Sequence, residues 1–375
     1  MHCAHFQAAR CRSCGWLAMP YATQLAARAA QAQALLPDPA IRWLPPLASR
    51  ETGFRNRAKM VVSGSTQAPR LGILDAAGAG VDLEDCPLYP PALQAAFAPL
   101  RRLIRRAGIE PYSVPRRRGE LKYLLVTLAE DSGALMVRFV LRSRTALPAL
   151  RCALPHLVAE LPQARVLSAN LQPVHQAVTE GPEEILLGAE DALPLRLNGL
   201  RLWLGPQAFF QTHAATAAVL YRQVREWVRQ LDPPAVLDLF CGIGGFALHC
   251  ADGRREVLGV EISAAAVALA RRAARDNALQ RVRFESADAV QGVRALGRLP
   301  PLVIVNPPRR GLGADLCTAL QASAAQRLVY SSCNPDALAR DLAALPDFRV
   351  RAARVLDMFP HTRHCELLCL LERTP

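Results

Sequence analysis

One stretch of the sequence decides the fold of the C-terminal half: residues 236–246, VLDLFCGIGGF. An apolar strand that contains Asp238 runs into a glycine-rich turn ending at Gly245, and a helix is expected to follow. Glycines let the backbone approach a ligand at the carboxyl end of a parallel strand. We therefore predict that Gly245 lies in a cofactor site. The spacing is not G-x-G-x-x-G, so the turn alone does not identify the cofactor.

Outward from this turn, strands and helices alternate from about residue 205 to the end of the chain. The predicted strands are 235–240, 256–261, 282–285, 302–305, 328–331, 348–356 and 366–371, and the predicted helices include 246–251 and 264–277. Such alternation requires right-handed crossovers, which place helices on both faces of a mostly parallel sheet. The C-terminal part is therefore predicted to be an α/β domain with a Rossmann-like sheet.

The sequence before residue 205 has a different pattern. Short β-like runs at 59–63, 123–128 and 135–141 and helical runs at 92–107 and 146–161 are typical of an α+β domain. An alanine-rich run at 21–36 predicts one further helix, closed by prolines. At 375 residues the chain is too long for one ordinary core. We predict an N-terminal cysteine-containing segment with its helix (1–47), a central α+β RNA-binding domain (48–204) and the α/β domain (205–375).

The charge of the chain indicates a polyanionic partner such as RNA, because the net charge is +13 and the isoelectric point is near 9.7. Basic side chains concentrate in the central domain, at Arg101, Arg102, Arg105, Arg106, Arg116, Arg117, Arg118 and Lys122. We interpret them as phosphate contacts, although a solvated basic face explains any one of them equally well. No apolar run is long enough to span a bilayer, so a cytoplasmic protein without a membrane partner is expected. No obligate protein partner is indicated.

Two carboxylates follow the strands next to the glycine-rich turn. Glu261 ends the second strand about twenty residues after the turn, where a carboxylate accepts hydrogen bonds from both hydroxyls of an adenosine ribose. NAD and S-adenosylmethionine sites share this requirement. Asp288, after the third strand, is placed to accept a hydrogen bond from the adenine amino group. The alternative for Glu261 is that it only caps the following helix.

The fourth strand is followed by a proline pair, in Asn306-Pro307-Pro308-Arg309. Methyltransferases that act on exocyclic amines carry an aromatic residue directly after such a pair, to stack on the base. Arg309 stands there instead, which argues against methylation of an amine. A rigid turn at the end of a strand is the simpler interpretation of the two prolines.

The fifth strand is followed by Cys333, within Ser331-Ser332-Cys333-Asn334. A thiol at the amino end of a helix lies near partial positive charge, which is expected to lower its pKa. Addition of a thiolate to C6 of uracil makes C5 nucleophilic, and the C5 proton must later be removed by a general base. Glu366, which opens the last strand among apolar neighbours, is the candidate base. The alternatives are a core cysteine and an edge-strand carboxylate without a chemical role.

Four further cysteines suggest a metal site. Cys3, Cys11 and Cys14 give the spacing C-x7-C-x2-C, and Cys86 is a remote fourth candidate ligand. Four thiolates suit either a 4Fe–4S cluster or a structural zinc ion, and spacing alone does not separate the two.

Taken together, these motifs resemble the RNA uracil-C5 methyltransferase family, and along the whole chain they are similar to the subfamily that acts on uracil 747 of 23S ribosomal RNA. The matching stretches are Cys3, Cys11 and Cys14 in their spacing, 53–60 (GFRNRAKM), 85–87 (DCP), 117–123 (RRGELKY), 209–212 (FFQT), 238–242 (DLFCG), 306–309 (NPPR) and 331–334 (SSCN). A class I S-adenosylmethionine-dependent methyltransferase fold is implied for the α/β domain.

The resemblance also implies roles for individual residues. Cys333 would be the nucleophile, Glu366 the base and Phe209 an aromatic residue that stacks on a flipped uracil. The implied contacts to S-adenosylmethionine are Gln211, Phe240, Glu261 and Asn306, and many family members have Asp where Asn306 stands. The family favours the 4Fe–4S cluster on the four cysteines, and Arg55 and Lys59 lie in a family motif as candidate RNA contacts. Methylation of a transfer RNA uracil, or a non-catalytic RNA-binding iron–sulfur protein, stays as the alternative function.

Overall fold

The computed structural model describes residues 1–176 and 178–374. These residues form two compact units. The first contains Met1–Cys14, Glu51–Leu195 and Gly205–Gln207, and the second contains Gly15–Arg50, Arg196–Leu204 and the chain from Ala208 onward.

The first unit is built on a seven-stranded sheet in the order β4-β3-β2-β5-β6-β7-β8. Its strands are β2 (Arg57–Gly64), β3 (Pro69–Leu74), β4 (Gly80–Asp82), β5 (Leu121–Leu128), β6 (Leu135–Leu141), β7 (Ala164–Leu171) and β8 (Glu183–Leu186). Its helices are α1 (Ala4–Gln7), α3 (Pro91–Gln94), α4 (Phe97–Ala107) and α5 (Leu147–Glu160), with a 3₁₀ turn at Arg144–Ala146. All strand pairs are antiparallel except β6 with β7. Apolar side chains from α4, α5 and the sheet form one core, which agrees with the predicted α+β class.

The second unit contains an eight-stranded sheet in the order β1-β16-β17-β15-β14-β11-β12-β13. Its strands are β1 (Arg42–Trp43), β11 (Ala235–Leu239), β12 (Glu256–Glu261), β13 (Val282–Ser286), β14 (Leu302–Val305), β15 (Arg327–Ser332), β16 (Phe348–Leu356) and β17 (Glu366–Arg373). Its helices are α2 (Tyr21–Leu35), α6 (Ala214–Leu231), α7 (Gly245–Cys250), α8 (Ala264–Asp276), α9 (Ala289–Leu296), α10 (Ala314–Gln321) and α11 (Pro335–Ala343). A separate two-stranded sheet pairs β9 (Leu193–Leu197) with β10 (Leu200–Leu204).

The sheet of the second unit is mostly parallel, because only β17 runs against its neighbours β15 and β16. All four residues of β14 are buried, as expected for a strand covered on both faces. Strand order reverses at β11, which lies between β14 and β12. Ligands of open α/β sheets bind outside the carboxyl ends of the strands at such a reversal. The predicted α/β class and its strands are therefore confirmed.

Two sequence-based boundaries differ in the structure. The predicted helix 92–107 is divided into α3 and α4, because Pro99 lacks the N–H that would bond the carbonyl of Ala95 and so stands in the first turn of a new helix. The predicted N-terminal segment 1–47 is also divided, since its first 14 residues belong to the first unit and the rest to the second. The physical reason is that β1 pairs in parallel with β16 and adds an edge strand to the second sheet.

A search of the described residues for membrane-spanning helices gave none of sufficient length and apolar character.

Candidate active site

The glycine-rich turn after β11 is held by two carboxylates. Asp238 is fully buried and its Oδ2 accepts a hydrogen bond from the N–H of Ala247 at 2.9 Å. Burial raises the pKa of Asp238 to about 8. Glu261, at the end of β12, accepts hydrogen bonds from the N–H of Gly242 at 3.1 Å and of Ser263 at 3.0 Å. Glu261 therefore braces the turn as well as the start of the next helix.

The backbone of this turn takes unusual conformations. Phe240 has φ +61°, which is rare for a residue with a side chain and is typical of functional sites. Gly245 is fixed by packing, because a Cβ there would lie 2.6 Å from the hydroxyl of Tyr221. Gly244 has φ +87°, and a Cβ there would lie 2.9 Å from the ring of Phe284. These glycines are needed to form the turn, and a direct contact of Gly245 with a cofactor stays a prediction.

The other predicted cofactor residues lie at the ends of neighbouring elements. Asn306 follows β14, and its N–H points to the carbonyl of Leu239 at 3.5 Å, beside Phe240. Asp288 is exposed and caps α9 by accepting a hydrogen bond from the N–H of Val290 at 2.9 Å. Gln211 is buried in the loop that precedes α6. The structure thus places these residues at the carboxyl edge of the sheet or in loops of the same unit, and their contacts to a cofactor stay predictions.

Phe209 lies in the loop before α6 with 66% of its surface exposed. An exposed aromatic ring is suited to stacking on a base.

Cys333 lies directly after β15 and just before Asn334, the N-cap of α11. The guanidinium of Arg309 forms a hydrogen bond to its thiol and attracts the thiolate, whereas burial and the charge of Glu366 favour the neutral thiol. The pKa of Cys333 is raised, because burial is the largest of these effects. The net shift is therefore opposite to the predicted lowering, although Arg309 and a backbone hydrogen bond at Cys333 both oppose the effect of burial.

Glu366 is the first residue of β17 and is only 1% exposed. The hydroxyl of Ser331, on the paired strand β15, donates a hydrogen bond to its Oε1 at 2.5 Å. Burial raises the pKa of Glu366 to about 7, although the bond from Ser331 acts in the opposite direction. A carboxylate with a pKa near neutrality is well matched to general base catalysis.

The role of Arg309 beside the thiol was not predicted from the sequence. Its carbonyl accepts a hydrogen bond from Nδ2 of Asn334 at 2.8 Å, so the turn after β14 and the turn after β15 are joined next to Cys333. The sequence does contain a pattern from which this contact could have been predicted: an arginine follows β14 and a cysteine follows β15. These two strands are paired and parallel, so the residues that follow them lie at the same edge of the sheet.

The four N-terminal and central cysteines lie in the first unit. Burial raises the pKa of Cys14 to about 12, and negative charge on Cys86, Cys11 or Cys3 acts in the same direction. Between residues 1 and 176 and from 178 to 374, however, no three His, Cys, Asp or Glu side chains are arranged to hold a metal ion. The side chain of His5 bonds that of Asp85 at 2.5 Å, which ties α1 to the residue before Cys86.

The basic residues of the central domain differ in accessibility. Arg55 and Lys59 are exposed, as an RNA contact requires. Lys122 is only 6% exposed, and its Nζ donates a hydrogen bond to the carbonyl of Val174 at 2.7 Å, so its interpretation as a phosphate contact is wrong. Arg101 pairs with Glu84 at 3.2 Å and Arg102 with Glu160 at 2.6 Å, which reduces their free positive charge.

Comparisons with known proteins agree with this arrangement. The tRNA (uracil-5-)-methyltransferase family model matches residues 193–374. A protein of Halothiobacillus neapolitanus described as 23S rRNA (uracil(747)-C(5))-methyltransferase RlmC is 51% identical and the alignment covers 100% of both chains. A protein of Escherichia coli O157:H7 with the same description is 49% identical over 99% of both chains.

Among solved structures, the tRNA (uracil-54, C5)-methyltransferase of Pyrococcus abyssi in complex with S-adenosyl-L-homocysteine is similar, with a TM-score of 0.80 and 26% identity. The match covers 96% of this chain and 85% of that chain. The fold of the second unit is accordingly that of the class I S-adenosylmethionine-dependent methyltransferases. The chain belongs to the RNA uracil-C5 methyltransferase family.

Proposed function

We propose that this protein methylates C5 of a uracil in 23S ribosomal RNA, at the position that its relatives number 747, with S-adenosylmethionine as the methyl donor. The observation that carries the proposal is the convergence of Cys333, Arg309 and Glu366 at the sheet edge that also carries the glycine-rich turn. Methylation at C5 of a pyrimidine requires a nucleophile that adds to C6 and a base that accepts the C5 proton. A thiol and a carboxylate whose pKa lies near 7 are suited to these two tasks. A ribosomal RNA substrate would place the enzyme in the cytoplasm.

Cys333 supplies the nucleophile. Its sulfur adds to C6 of the uracil, and the electron pair of the C5–C6 bond becomes available at C5. Arg309 stabilises the small thiolate fraction that a raised pKa leaves at neutral pH, because its guanidinium bonds the sulfur. S-adenosylmethionine, when bound, supplies an electrophilic methyl group to the activated carbon.

Glu366 completes the reaction as the general base. After methylation, C5 still carries its original proton, and removal of that proton lets the C6–S bond break and restores the aromatic base. A buried carboxylate with a pKa of about 7 is partly deprotonated at neutral pH and is therefore competent to accept it. Ser331 fixes the orientation of this carboxylate through its hydrogen bond at 2.5 Å.

The cofactor would be held around the glycine-rich turn. In this arrangement Glu261 receives the ribose hydroxyls, Asp288 the adenine amino group, and Phe240, Gln211 and Asn306 complete the surroundings. The residues fit such a ligand, because the backbone strain at Phe240 and the brace from Glu261 to Gly242 preorganise the turn.

Glu261→Ala should weaken S-adenosylmethionine binding by about 1.5–3 kcal/mol, since two ribose hydroxyls lose a charged acceptor. Isothermal titration calorimetry measures this directly. Glu256→Ala is the matched control, because Glu256 opens the same strand at its opposite end and pairs with Arg281 on the surface. Equal affinity in wild type and Glu261→Ala would remove Glu261 from the site.

The RNA would be held partly by the exposed Phe209, Arg55 and Lys59. Both reacting carbons of the uracil must be reached, so the base has to leave its stack, and Phe209 offers an exposed ring on which it can stack. Arg55 and Lys59 are expected to contact phosphates and to position the RNA without reading its sequence.

We assign Cys3, Cys11, Cys14 and Cys86 to a 4Fe–4S cluster that is structural. Support comes from the family resemblance and from the donor set of four partly buried thiols in the first unit. When bound, the cluster would fix the N-terminal residues to the loop of Cys86. It supplies no redox chemistry that the proposed reaction needs.

Protein purified without oxygen should be brown and should contain iron, because thiolate-bound iron–sulfur clusters absorb in the visible range. Metal analysis and the absorption spectrum check this, with Cys152→Ser as a control, since Cys152 is exposed on α5 and is not one of the four. Cys86→Ser should lose the colour. Zinc in place of iron would show that the site is a structural zinc site.

The function is tested with defined RNA. Transcripts of 23S ribosomal RNA domains and of transfer RNA are incubated with S-adenosylmethionine labelled in the methyl group, and the labelled nucleotide is mapped. We expect label at C5 of a single uracil of the ribosomal transcript. Label confined to transfer RNA would support the alternative substrate, and absence of label from both would support a non-catalytic RNA-binding protein.

A further inference from the structure

A buried polar network joins α2 to the loop that precedes Glu366. Helix α2 turns Gln24, Arg28 and Ala32 inward, and the two polar side chains are each only 1% exposed. A buried guanidinium is unfavourable unless its hydrogen bonds and charge are matched. The helix therefore carries a charge at a place where an apolar side chain would ordinarily pack.

The hydrogen-bond and ion-pair partners of Arg28 lie between β16 and β17. Its Nε donates a hydrogen bond to the carbonyl of Thr362 at 3.1 Å, and Nη2 donates to the carbonyl of Phe359 at 3.3 Å. Its Nη1 lies 3.3 Å from Oδ2 of Asp357, which is fully buried. One guanidinium thus fixes three points of a single loop.

Two more residues of α2 hold the same loop. The N–H of His361 donates a hydrogen bond to Oε1 of Gln24 at 3.0 Å, and His361 has φ +65°, a conformation that a residue with a side chain adopts only when held. The hydroxyl of Tyr21 donates to Oδ2 of Asp357 at 2.6 Å. The N–H of Trp16, before the helix, donates to the carbonyl of His361 at 2.9 Å.

This loop, residues 357–365, ends at Glu366. Leu356 and Glu366 are paired across β16 and β17, so the loop closes the two strands at the active-site end. Burial lowers the pKa of His364, within the loop, and the charge of the nearby Arg309 guanidinium lowers it further. The loop therefore leads directly into Glu366 and carries a side chain near Arg309.

The network continues from α2 to the loop of Gln211. Ser49 donates its N–H to the hydroxyl oxygen of Tyr21 at 2.6 Å, and its own hydroxyl is hydrogen-bonded to Nε2 of His213. Nδ1 of His213 accepts from the N–H of Thr216 and caps α6. The same short N-terminal segment thus reaches the loop that carries Phe209 and Gln211.

We propose that Gly15–Arg50 is a positioning strap, in which Arg28 and Tyr21 place Glu366 for proton abstraction and Ser49 places the loop of Gln211. None of the three is a catalytic residue. The inference rests on the function proposed above, and it adds that the release step and the cofactor-binding step depend on different residues of one strap.

Single-turnover reactions separate the two steps. With methyl-labelled S-adenosylmethionine and RNA, a denaturing gel follows the covalent protein–RNA adduct as it forms and decays. Arg28→Lys keeps the charge beside Asp357 but loses the planar fork that reaches the two carbonyls. We expect adduct formation near the wild-type rate and decay slowed about tenfold, so a methylated adduct accumulates.

Arg255→Lys is the matched control, because Arg255, like Arg28, is a buried arginine that forms ion pairs. It precedes β12, at the end of the strand opposite to the active site. It should leave both rates unchanged. Tyr21→Phe removes one hydroxyl and serves if Arg28→Lys folds poorly; its adduct should decay about threefold more slowly. Ser49→Ala should raise the KM for S-adenosylmethionine about threefold without trapping an adduct.

The proposal is overturned if Arg28→Lys and Tyr21→Phe release product at the wild-type rate. It is also overturned if they lose adduct formation and decay in parallel, as a general loss of stability would cause. A wild-type protein that labels no RNA would instead overturn the proposed function.

Discussion

Cys333→Ala should abolish methylation, with a fall in rate of roughly 10⁴-fold or more, and should form no covalent complex with RNA. Without the sulfur, no bond to C6 forms and C5 stays too weak a nucleophile to be methylated. S-adenosylmethionine should still bind, since Cys333 follows β15 while the glycine-rich turn follows β11. The variant should also fold, because the residue is only partly buried.

Cys317→Ala is the control for loss of a thiol as such. Cys317 is buried in α10 and belongs to the apolar core of the second unit, so its loss should alter stability slightly and leave the adduct intact. Turnover is measured as labelled RNA and the adduct as a retarded band on a denaturing gel. Retained turnover in Cys333→Ala would show that another residue, or no residue at all, adds to the uracil.

The fold of the second unit was predictable because its signals are local. Parallel strands buried on both faces give apolar runs such as Leu302–Val305. The turn that follows β11 depends on Gly244 and Gly245, where a Cβ would lie less than 3.0 Å from a neighbouring ring or hydroxyl. The division of the N-terminal segment was not predictable, since it depends on two residues of β1 pairing with a strand some 300 positions later.

The candidate residues of the site could be predicted from residue type and position. The direction of a pKa shift and the accessibility of a side chain could not, because they depend on burial. Cys333 was predicted from its position after a strand and Glu366 from its position at the start of the last strand. The sign of the Cys333 pKa shift depends on how far burial outweighs Arg309, which only the packed structure shows. Lys122 shows the same limit, because its motif looked basic and exposed while its ammonium is buried against Val174. Arg28 gave no signal at all, since one arginine in an alanine-rich helix suggests a solvated face.

Glu366→Gln should trap the reaction after methyl transfer. The amide keeps the volume of the side chain and a hydrogen bond with Ser331, but it does not accept the C5 proton. Addition and methylation proceed, elimination stalls, and turnover should fall by about 10²–10⁴-fold while a methylated protein–RNA adduct accumulates. Glu372→Gln, on the same strand and paired with Arg327 at the surface, is the control and should release product normally.

The pH dependence of adduct decay shows whether Glu366 acts as the general base or has only a structural role. Only deprotonated Glu366 accepts the proton, and burial raises its pKa to about 7, so decay in the wild type should slow as the pH falls through 7 and level off above it. Titration of the Cys333 thiol does not contribute to the pH dependence of decay, because its sulfur is already bonded to C6 when decay is measured. In Glu366→Gln the residual decay should be slow and insensitive to pH in this range. A wild-type decay rate that does not change between pH 6 and pH 8, or a Glu366→Gln variant that releases product at the normal rate, would assign the proton abstraction to another group.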